Sequence, residues 1–306
     1  HRVRQVLERE VGVSRVGVRA RRWLLPVYPS LVASLSRTLA RLHAERPIDL
    51  LISTSSAAVK GIAAPPGVPH LCYCHAPARY VWAQRGAYGG KGLIGRLRAA
   101  GLAAYGGAFR RWDRRTAVNV SRFVANSTHT AAQVLRCYGR DAEVVFPPVR
   151  TGYFTPGGSR ERFWLVVSAL EPYKRVDAAI EAARLAGAEL IVAGDGSQRR
   201  SLSAMAGARL VGRVSDEELR RLYRSAAVLL FPQVEDFGIV AVEAQACGLP
   251  VVAARSGGAS DIVRDRRTGV LVDEATPENL ARAVAMVPPG CAASCRENAE
   301  RFSEAA

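Results

Sequence analysis

The sequence predicts an α/β protein made of two doubly wound domains. Short apolar runs alternate with helical patterns in both halves, which is typical of parallel sheets covered by helices. The chain has 306 residues, 49% of them hydrophobic, enough for two buried cores and too many for a disordered chain. A stretch rich in glycine and threonine, 151–158, separates the halves. We therefore predict domains at 1–150 and 151–306.

The first half contains four candidate strands but no recognisable opening strand. The strands are predicted at 49–53, 70–74, 122–125 and 143–146. Helical stretches lie between them, the longest around 93–115, and residues 1–22 are basic and helical in pattern. No strand followed by a glycine turn begins this half, and the chain stops soon after Phe302-Ser303. We therefore expect an incomplete N-terminal domain and a chain truncated at both ends.

The second half alternates regularly between strands and helices. Strands are predicted at 164–169, 190–193, 228–231 and 250–253. Nearly all their residues are apolar, as expected for strands covered on both faces. Ser215 to Glu218 form a capping box, and Thr276-Pro277 places proline at a first helical position, so we predict that helices begin at both.

Arginine dominates the charge of the chain. Lys+Arg 43 against Asp+Glu 27 gives a formal net charge of +16, with lysine only at 60, 91 and 174. This balance indicates an anionic partner: a phosphorylated ligand, an acidic membrane surface or nucleic acid. The basic stretches 19–22 and 110–115 match no DNA-binding motif, and Trp112 alone in them does not make the series of aromatic residues that a stacking platform needs. We therefore expect no nucleic-acid partner.

The sequence also predicts where the protein resides. No uncharged apolar run reaches the roughly 18 residues that a membrane-spanning helix needs. The six cysteines form no CxxC pair, which favours reduced thiols in the cytoplasm. Cys72 and Cys74 are two positions apart, so their side chains lie on the same face of the predicted strand. A basic amphipathic face is predicted at 93–98, from Leu93, Ile94 and Leu97 with Arg96 and Arg98. We expect a cytoplasmic protein in peripheral contact with the anionic inner face of the membrane.

The segment from Val234 to Glu243 carries the strongest chemical pattern. It follows the predicted strand 228–231, and open α/β sheets bind ligands at the carboxyl ends of their strands. Gly238 begins a helix whose free N–H groups and dipole favour a diphosphate. Glu243, about one and a half turns later, can bind a ribose diol, and Glu235 can accept hydrogen bonds from sugar hydroxyls. The pattern indicates a site for a nucleoside diphosphate that carries a polyol.

Two further strand ends carry candidate site residues. Lys174 follows the first strand of the second domain, where its charge can stabilise a departing diphosphate from the opposite wall of the crevice. His75 follows the strand 70–74, with Arg79 and Tyr80 shortly after it. Both positions indicate groups that line a ligand crevice.

These strings resemble motifs of the retaining glycosyltransferases of family 4, which have the two-domain GT-B fold with a central cleft. Val234 to Glu243 resembles the E-x7-E signature, and 246–252 and Gly257-Gly258 also match. The resemblance implies that Glu235 contacts the donor sugar and that Glu243 binds the ribose. The other donor-binding residues that it implies are Gly194, Arg213, Val214, Phe237, Gly238 and Ile239.

The first half resembles a mannosyltransferase-like branch of that family. The string from His75 to Trp82 looks like its H-x-P-x-R-Y-x-W motif, and the strings at 111–115, 125–127 and 146–149 also fit. The resemblance implies that His75 helps to hold the reacting centre and that Arg79 and Tyr80 lie on the acceptor side.

The sequence departs from the family at two positions. Members of the family usually have an arginine five residues before the lysine that corresponds to Lys174, and here that position is Ala169. Members of the branch usually have an aspartate after the string at 146–149, and here that position is Arg150. One phosphate contact is therefore unassigned; Arg175 and Arg79 are the candidates to supply it.

The resemblance implies a retaining hexosyltransferase that needs no cofactor, with GDP-mannose as the favoured donor and a cell-envelope polysaccharide or lipid-linked acceptor. Because no Asp-x-Asp motif is present, we expect catalysis without a metal. Two alternatives stay open: a non-hydrolysing nucleotide-sugar epimerase of the same fold, and a basic nucleic-acid-binding protein. The residues do not decide the base, the hexose or the acceptor.

Overall fold

The computed structural model describes residues 27–55, 57–82 and 105–306. They form two compact units, each built on one parallel sheet. The first unit comprises the described residues up to Asn126 together with Thr130–Val145, and the second comprises Ser127–His129 and Phe146–Ala306. The prediction of two doubly wound α/β domains is confirmed.

The first unit has a four-stranded sheet in the order β1-β2-β3-β4. Its strands are β1 (Leu51–Ser55), β2 (His70–Cys74), β3 (Arg122–Ala125) and β4 (Ala142–Val144). Its helices are α1 (Tyr28–Glu45), α2 (Arg79–Trp82), α3 (described over 105–115) and α4 (Thr128–Tyr138). The helical stretch predicted around 93–115 is thus described only in its second part, and the face at 93–98 and the basic residues 1–22 lie outside the described residues.

Strand β1 begins two residues later than predicted. Its buried side chains are Ser53 and Ser55, whereas Ile52 is 61% exposed. Ser53 Oγ lies 2.8 Å from Nε2 of His70, so the buried hydroxyl has a partner. Burial lowers the pKa of His70, which favours the neutral ring in this contact. The apolar pattern placed the strand too early because polar residues occupy its inward positions.

The cysteines of β2 lie as predicted. His70, Cys72 and Cys74 are buried and alternate with the half-buried Leu71 and Tyr73. All six cysteines of the chain are buried and free.

A buried ion pair lies within the first unit. Lys60 is 1% exposed and Asp113 0%, and Nζ of Lys60 is 3.0 Å from Oδ1 of Asp113. The other carboxylate oxygen accepts hydrogen bonds from Trp82 Nε1 at 2.7 Å and from the Tyr138 hydroxyl at 3.1 Å. Trp82 ends α2, the short helix that contains Arg79. The ion pair therefore anchors this helix and links the motifs that contain Trp82 and Asp113.

The second unit has a six-stranded parallel sheet in the order β10-β9-β8-β5-β6-β7. Its strands are β5 (Trp164–Val167), β6 (Leu190–Ala193), β7 (Ala208–Gly212), β8 (Val228–Phe231), β9 (Val251–Ala254) and β10 (Gly269–Val272). Its helices are α5 (Val176–Ala186), α6 (Arg199–Leu202), α7 (Asp216–Ser225), α8 (Ile239–Ala246), α9 (Ala259–Ile262), α10 (Pro277–Ala285) and α11 (Ala292–Ala299). Strands β7 and β10, which the sequence did not predict, are the two edges of this sheet.

The strand order reverses between β5 and β8. These strands are neighbours, with Trp164 opposite Val228 and Leu165 opposite Leu229, while β6 lies on the other side of β5. Connections therefore leave the two strands toward opposite faces of the sheet. Such a switch point opens a crevice at the carboxyl ends of the strands, where ligands bind in open α/β sheets.

Both predicted helix starts in the second unit are confirmed. Ser215 Oγ accepts a hydrogen bond from the N–H of Glu218 at 3.2 Å before α7. Thr276 Oγ1 accepts one from the N–H of Asn279 at 3.2 Å before α10. Each side chain satisfies a backbone donor that the helix itself leaves unpaired.

The segment before the proposed domain limit packs within the second unit. The rings of Phe146 and Phe237 are stacked with their centroids 5.8 Å apart, and the Val149 N–H donates to the Phe302 carbonyl at 2.8 Å. Phe154 is fully buried. Phe146 is accordingly the first residue of the long segment of the second unit, and the domain limit between 150 and 151 stays a prediction.

Candidate functional site

Lys174 and Glu235 form an ion pair beyond the carboxyl ends of β5 and β8. Lys174 ends a short 3-10 turn, Pro172–Lys174, and its Nζ donates to Oε1 of Glu235. The side chains are 13% and 25% exposed, so the pair is accessible from solvent. The structure thus brings together, at the switch point, two residues that the sequence singled out separately.

Gln233, which the sequence analysis did not predict as a site residue, also contacts Glu235. Its side chain is 2% exposed, and its Nε2 donates to Oε1 of Glu235 at 3.1 Å. One carboxylate oxygen of Glu235 therefore has two donors, and no described residue donates to the other. The sequence feature that could have identified Gln233 as a candidate is its position between the buried strand β8 and Glu235.

Two glycines allow loops to pack tightly around the ion pair. A Cβ on Gly258, after β9, would lie 2.4 Å from Cα of Phe237, and the Gly258 N–H donates to the Glu235 carbonyl at 2.8 Å. A Cβ on Gly194, after β6, would lie 1.8 Å from the carbonyl oxygen of Ser168. No larger residue fits at either position without moving backbone. The predicted site residue Gly194 therefore supports the loop that leads to Lys174.

Helix α8 begins beside the ion pair. Gly238 precedes its first residue, Ile239, and no side chain caps the helix. Ile239 is 47% exposed, whereas Phe237 is 4% exposed and packs against Phe146 and Phe302. Of these three predicted donor-binding residues, Phe237 therefore has only its backbone available to a ligand. The N–H groups of the first helical turn provide a place for an anion.

Glu243 lies on α8 and is largely buried. Its Oε2 accepts a hydrogen bond from the hydroxyl of Tyr223, a fully buried residue of α7, at 3.1 Å. Burial raises the pKa of the Glu243 carboxyl to about 7, although the Tyr223 hydroxyl and the nearby Arg150 oppose the shift. The carboxyl is therefore divided between its neutral and ionised forms near neutral pH.

This environment makes stability depend on pH. The folded state holds the Glu243 proton up to about pH 7, whereas the unfolded chain releases it near 4.5. The free energy of unfolding should thus fall as pH rises through this window, by at most about 3 kcal/mol from this group. We expect Glu243→Gln to remove this loss of stability at high pH. The variant should therefore be more stable than the parent at pH 8 but not at pH 4.5.

Urea denaturation at both pH values measures the effect. Glu217→Gln, which removes an exposed carboxylate from α7, is the matched control and should follow the parent. An unchanged pH dependence in Glu243→Gln would contradict the assignment.

The remaining donor-side candidates lie at other strand ends of the same unit. Arg213 is exposed just after β7, and Val214 is half-buried against the core. Arg175, a candidate replacement for the arginine absent at Ala169, donates to the carbonyl of Ala275 at 3.3 Å. This contact uses one of the five guanidinium N–H donors, and the phosphate contact of Arg175 stays a prediction.

The acceptor-side candidates lie in the first unit. His75 is exposed at the end of β2, its N–H donates to the Ser55 carbonyl at 2.7 Å, and its ring meets that of Tyr73 edge to face. Arg79 is half-buried in α2. Tyr80 belongs to the same helix, but its side chain lies outside the described structure.

The part of the chain that the structure describes contains neither a candidate metal-ion cluster nor a candidate membrane-spanning helix. Over residues 27–55, 57–82 and 105–306, no cluster of three histidine, cysteine or acidic side chains is placed to hold a metal ion. In the same residues, no helix combines the length and apolar character needed to cross a bilayer.

Both halves of the chain match known protein families. Residues 156–306 match the family model of glycosyl transferases group 1, and residues 1–153 match that of glycosyltransferase family 4. A D-inositol 3-phosphate glycosyltransferase from Acidothermus cellulolyticus is 35% identical over 206 residues, which are 55% of this chain and 46% of that protein. One from Mycobacterium tuberculosis is 37% identical over 179 residues, 49% of this chain and 37% of that protein. The chain thus matches less than half the length of these relatives.

Solved structures share the fold. Sucrose-phosphate synthase from Thermosynechococcus elongatus superimposes with a TM-score of 0.69 at 18% identity, covering 91% of this chain and 74% of that one. HepE from Anabaena, in complex with UDP and glucose, gives a TM-score of 0.62 at 18% identity, covering 90% and 77%. At this identity the likeness shows the fold alone: two Rossmann-like domains, as in GT-B glycosyltransferases.

Proposed function

Since the chain belongs to glycosyltransferase family 4, we propose that it transfers a hexose from a nucleoside-diphosphate sugar to an acceptor hydroxyl. The proposed reaction retains the anomeric configuration and needs no metal ion. The observation that carries the proposal is the contact of Lys174 with Glu235 at the switch point, beside the start of the helix that contains Glu243.

In this proposal the second unit binds the donor. Glu243 accepts hydrogen bonds from the ribose diol, and the first turn of α8 after Gly238 binds the diphosphate. Lys174 turns from Glu235 to the diphosphate, where its charge stabilises the negative charge that develops as the bond breaks. Glu235 accepts hydrogen bonds from hydroxyls of the hexose. Together these contacts hold the sugar and favour departure of the nucleoside diphosphate.

The transfer exchanges one bond for another at the anomeric carbon. The bond from this carbon to the diphosphate oxygen breaks, and its electron pair leaves with the diphosphate. The acceptor hydroxyl oxygen forms the new bond on the same face of the sugar, and its proton passes to the departing diphosphate. We assign His75 to the reacting centre and Arg79 and Tyr80 to the acceptor side, as the motif resemblance implies.

The donor and acceptor can be named by class. The string from His75 to Trp82 favours GDP-mannose, whereas HepE, a structural relative, was solved with UDP and glucose. The acceptor class that we propose is a polysaccharide or a lipid-linked saccharide of the cell envelope. Peripheral contact with an anionic membrane belongs to the same proposal.

Calorimetry against GDP-mannose and a series of UDP and ADP sugars tests the donor assignment. We expect one base to be preferred, and Glu243→Ala to weaken binding of that donor by about 1.5–3 kcal/mol because a charge-assisted hydrogen bond is lost. Glu217→Ala, from the exposed face of α7, should bind like the parent. Failure of every nucleotide sugar to bind would refute the proposal.

Incubation with the preferred donor separates a transferase from an epimerase. A transferase should consume the donor only when an acceptor is added, and the product should keep the anomeric configuration. Conversion of the donor sugar to its epimer without acceptor would refute transfer as the activity.

A further inference from the structure

Gln233 is a buried amide whose hydrogen-bonding capacity is mostly unused. Its side chain is 2% exposed, and the one hydrogen bond of its amide within the described structure goes from Nε2 to Glu235. Its Oε1 is buried and has no hydrogen-bond partner among the described residues. A buried acceptor without a donor destabilises the fold, so a role of the amide at Glu235 would account for its presence.

The orientation of this amide follows from the charge of Glu235. With the amide reversed, a carbonyl oxygen would face a carboxylate oxygen at about 3 Å with no proton between them. The ionised carboxylate therefore selects the orientation in which the N–H group points to it. Lys174 donates to the same oxygen, Oε1, so the second oxygen of Glu235 is the one open to a ligand.

We propose that Gln233 is a positioning residue that holds Glu235 with its second carboxylate oxygen toward the donor sugar. The inference rests on the proposed function, in which Lys174 leaves Glu235 to bind the diphosphate. Gln233 then supplies the remaining hydrogen bond to Oε1 and keeps the carboxylate from rotating. It acts through Glu235 and touches no reacting atom.

The charged groups around Glu235 are few. Lys174, from the loop after β5, is the cation in contact with it within the described structure. On the loop after β9, which packs against the Glu235 backbone, Arg255 is paired with two aspartates instead. Asp236, the next residue along the chain, is 6% exposed. A carboxylate placed at position 233 would therefore act on Glu235 directly.

Two variants test the inference through binding and through pH. Gln233→Met keeps the volume of the side chain but removes the donor. We expect the preferred nucleotide sugar to lose about tenfold in affinity relative to the free nucleoside diphosphate, because one hydrogen bond that orients Glu235 is absent. The affinity for the nucleoside diphosphate itself should not change. Equal losses for both ligands, or no loss for either, would overturn the positioning role.

Gln233→Glu places a second carboxylate beside Glu235, and two carboxylates so close share one proton. We expect kcat to fall about tenfold between pH 6 and pH 8.5, relative to the parent at each pH, as this proton is lost and Glu235 is displaced. Gln245→Glu makes the same change at a fully buried amide bonded to Thr268 and Asn298, and should keep the parent pH profile. Identical pH profiles for the two glutamate variants would overturn the inference.

The parent protein separates this inference from the function on which it rests. If the parent binds no nucleotide sugar, the proposed function fails and the inference fails with it. If the parent binds and transfers but the variants match it, only the role of Gln233 is refuted. Thermal unfolding of each variant establishes that the measurements report folded protein.

Discussion

Replacing Asp113 by alanine should lower the free energy of unfolding of the first unit by about 3–5 kcal/mol. The change leaves the ammonium group of Lys60 buried without its counter-ion, at 1% exposure. It also removes the acceptor of the Trp82 and Tyr138 donors, so the end of α2 loses its anchor. Hydrogen exchange resolved by peptide measures the stability of this unit apart from the second one.

Two controls test whether the unpaired charge causes this loss. Asp141→Ala, which removes an exposed carboxylate of the same unit, should leave hydrogen exchange unchanged. The double variant Lys60→Met/Asp113→Leu should recover much of the stability, because apolar replacement of both partners leaves no buried charge. A double variant as unstable as Asp113→Ala would show that packing, not charge, dominates.

Lys174→Ala should lower the rate of sugar transfer by about 10²–10³-fold, because the charge that develops on the departing diphosphate loses its cation. Nucleotide affinity should also fall, by about 1.5–3 kcal/mol, since a charge-assisted hydrogen bond is removed. The initial rate at saturating donor, together with calorimetry, measures both effects. This loss is the largest that we expect from one substitution in the second unit.

Arg184→Ala provides the matched control for Lys174. It removes a cation from the exposed face of α5, where the guanidinium is paired with Glu181. Its transfer rate and affinity should equal those of the parent. If Lys174→Ala transferred at the parent rate, the ion pair with Glu235 would be structural and the donor site would lie elsewhere.

The sequence predicted the elements whose formation depends mainly on residues that are close together in the chain. The buried strands β6 and β8 were predicted at their observed bounds because their residues are wholly apolar. The starts of α7 and α10 followed from their capping residues. The positions of Lys174 and Glu235 after their strands, together with the motif resemblance, predicted both as site residues, and the structure places them in contact.

Features that join distant parts of the chain were not predictable from the sequence. Lys60 and Asp113 are 53 positions apart, and no periodic pattern reveals that a lysine and an aspartate will be buried together. Similarly, Ser53 is buried at an inward position, where its hydroxyl contacts His70 of the neighbouring strand. Phe237 belongs to the string that resembles the family motif, but its ring packs against Phe146 and Phe302. Long-range partners decide each of these cases.

In the proposed donor site, the contact between Lys174 and Glu235 gives the second unit a means of rejecting small anions. A sulfate ion would have to draw Lys174 away from a carboxylate, and it offers that carboxylate no hydroxyl in return. The apparent affinity for such an ion falls in proportion to the fraction of molecules in which Lys174 is unpaired. A nucleotide sugar presents a diphosphate to the lysine and hydroxyl groups to the glutamate, so both partners gain new contacts when they separate. Selectivity then arises from the ion pair that the ligand must break as well as from the hydrogen bonds that it forms.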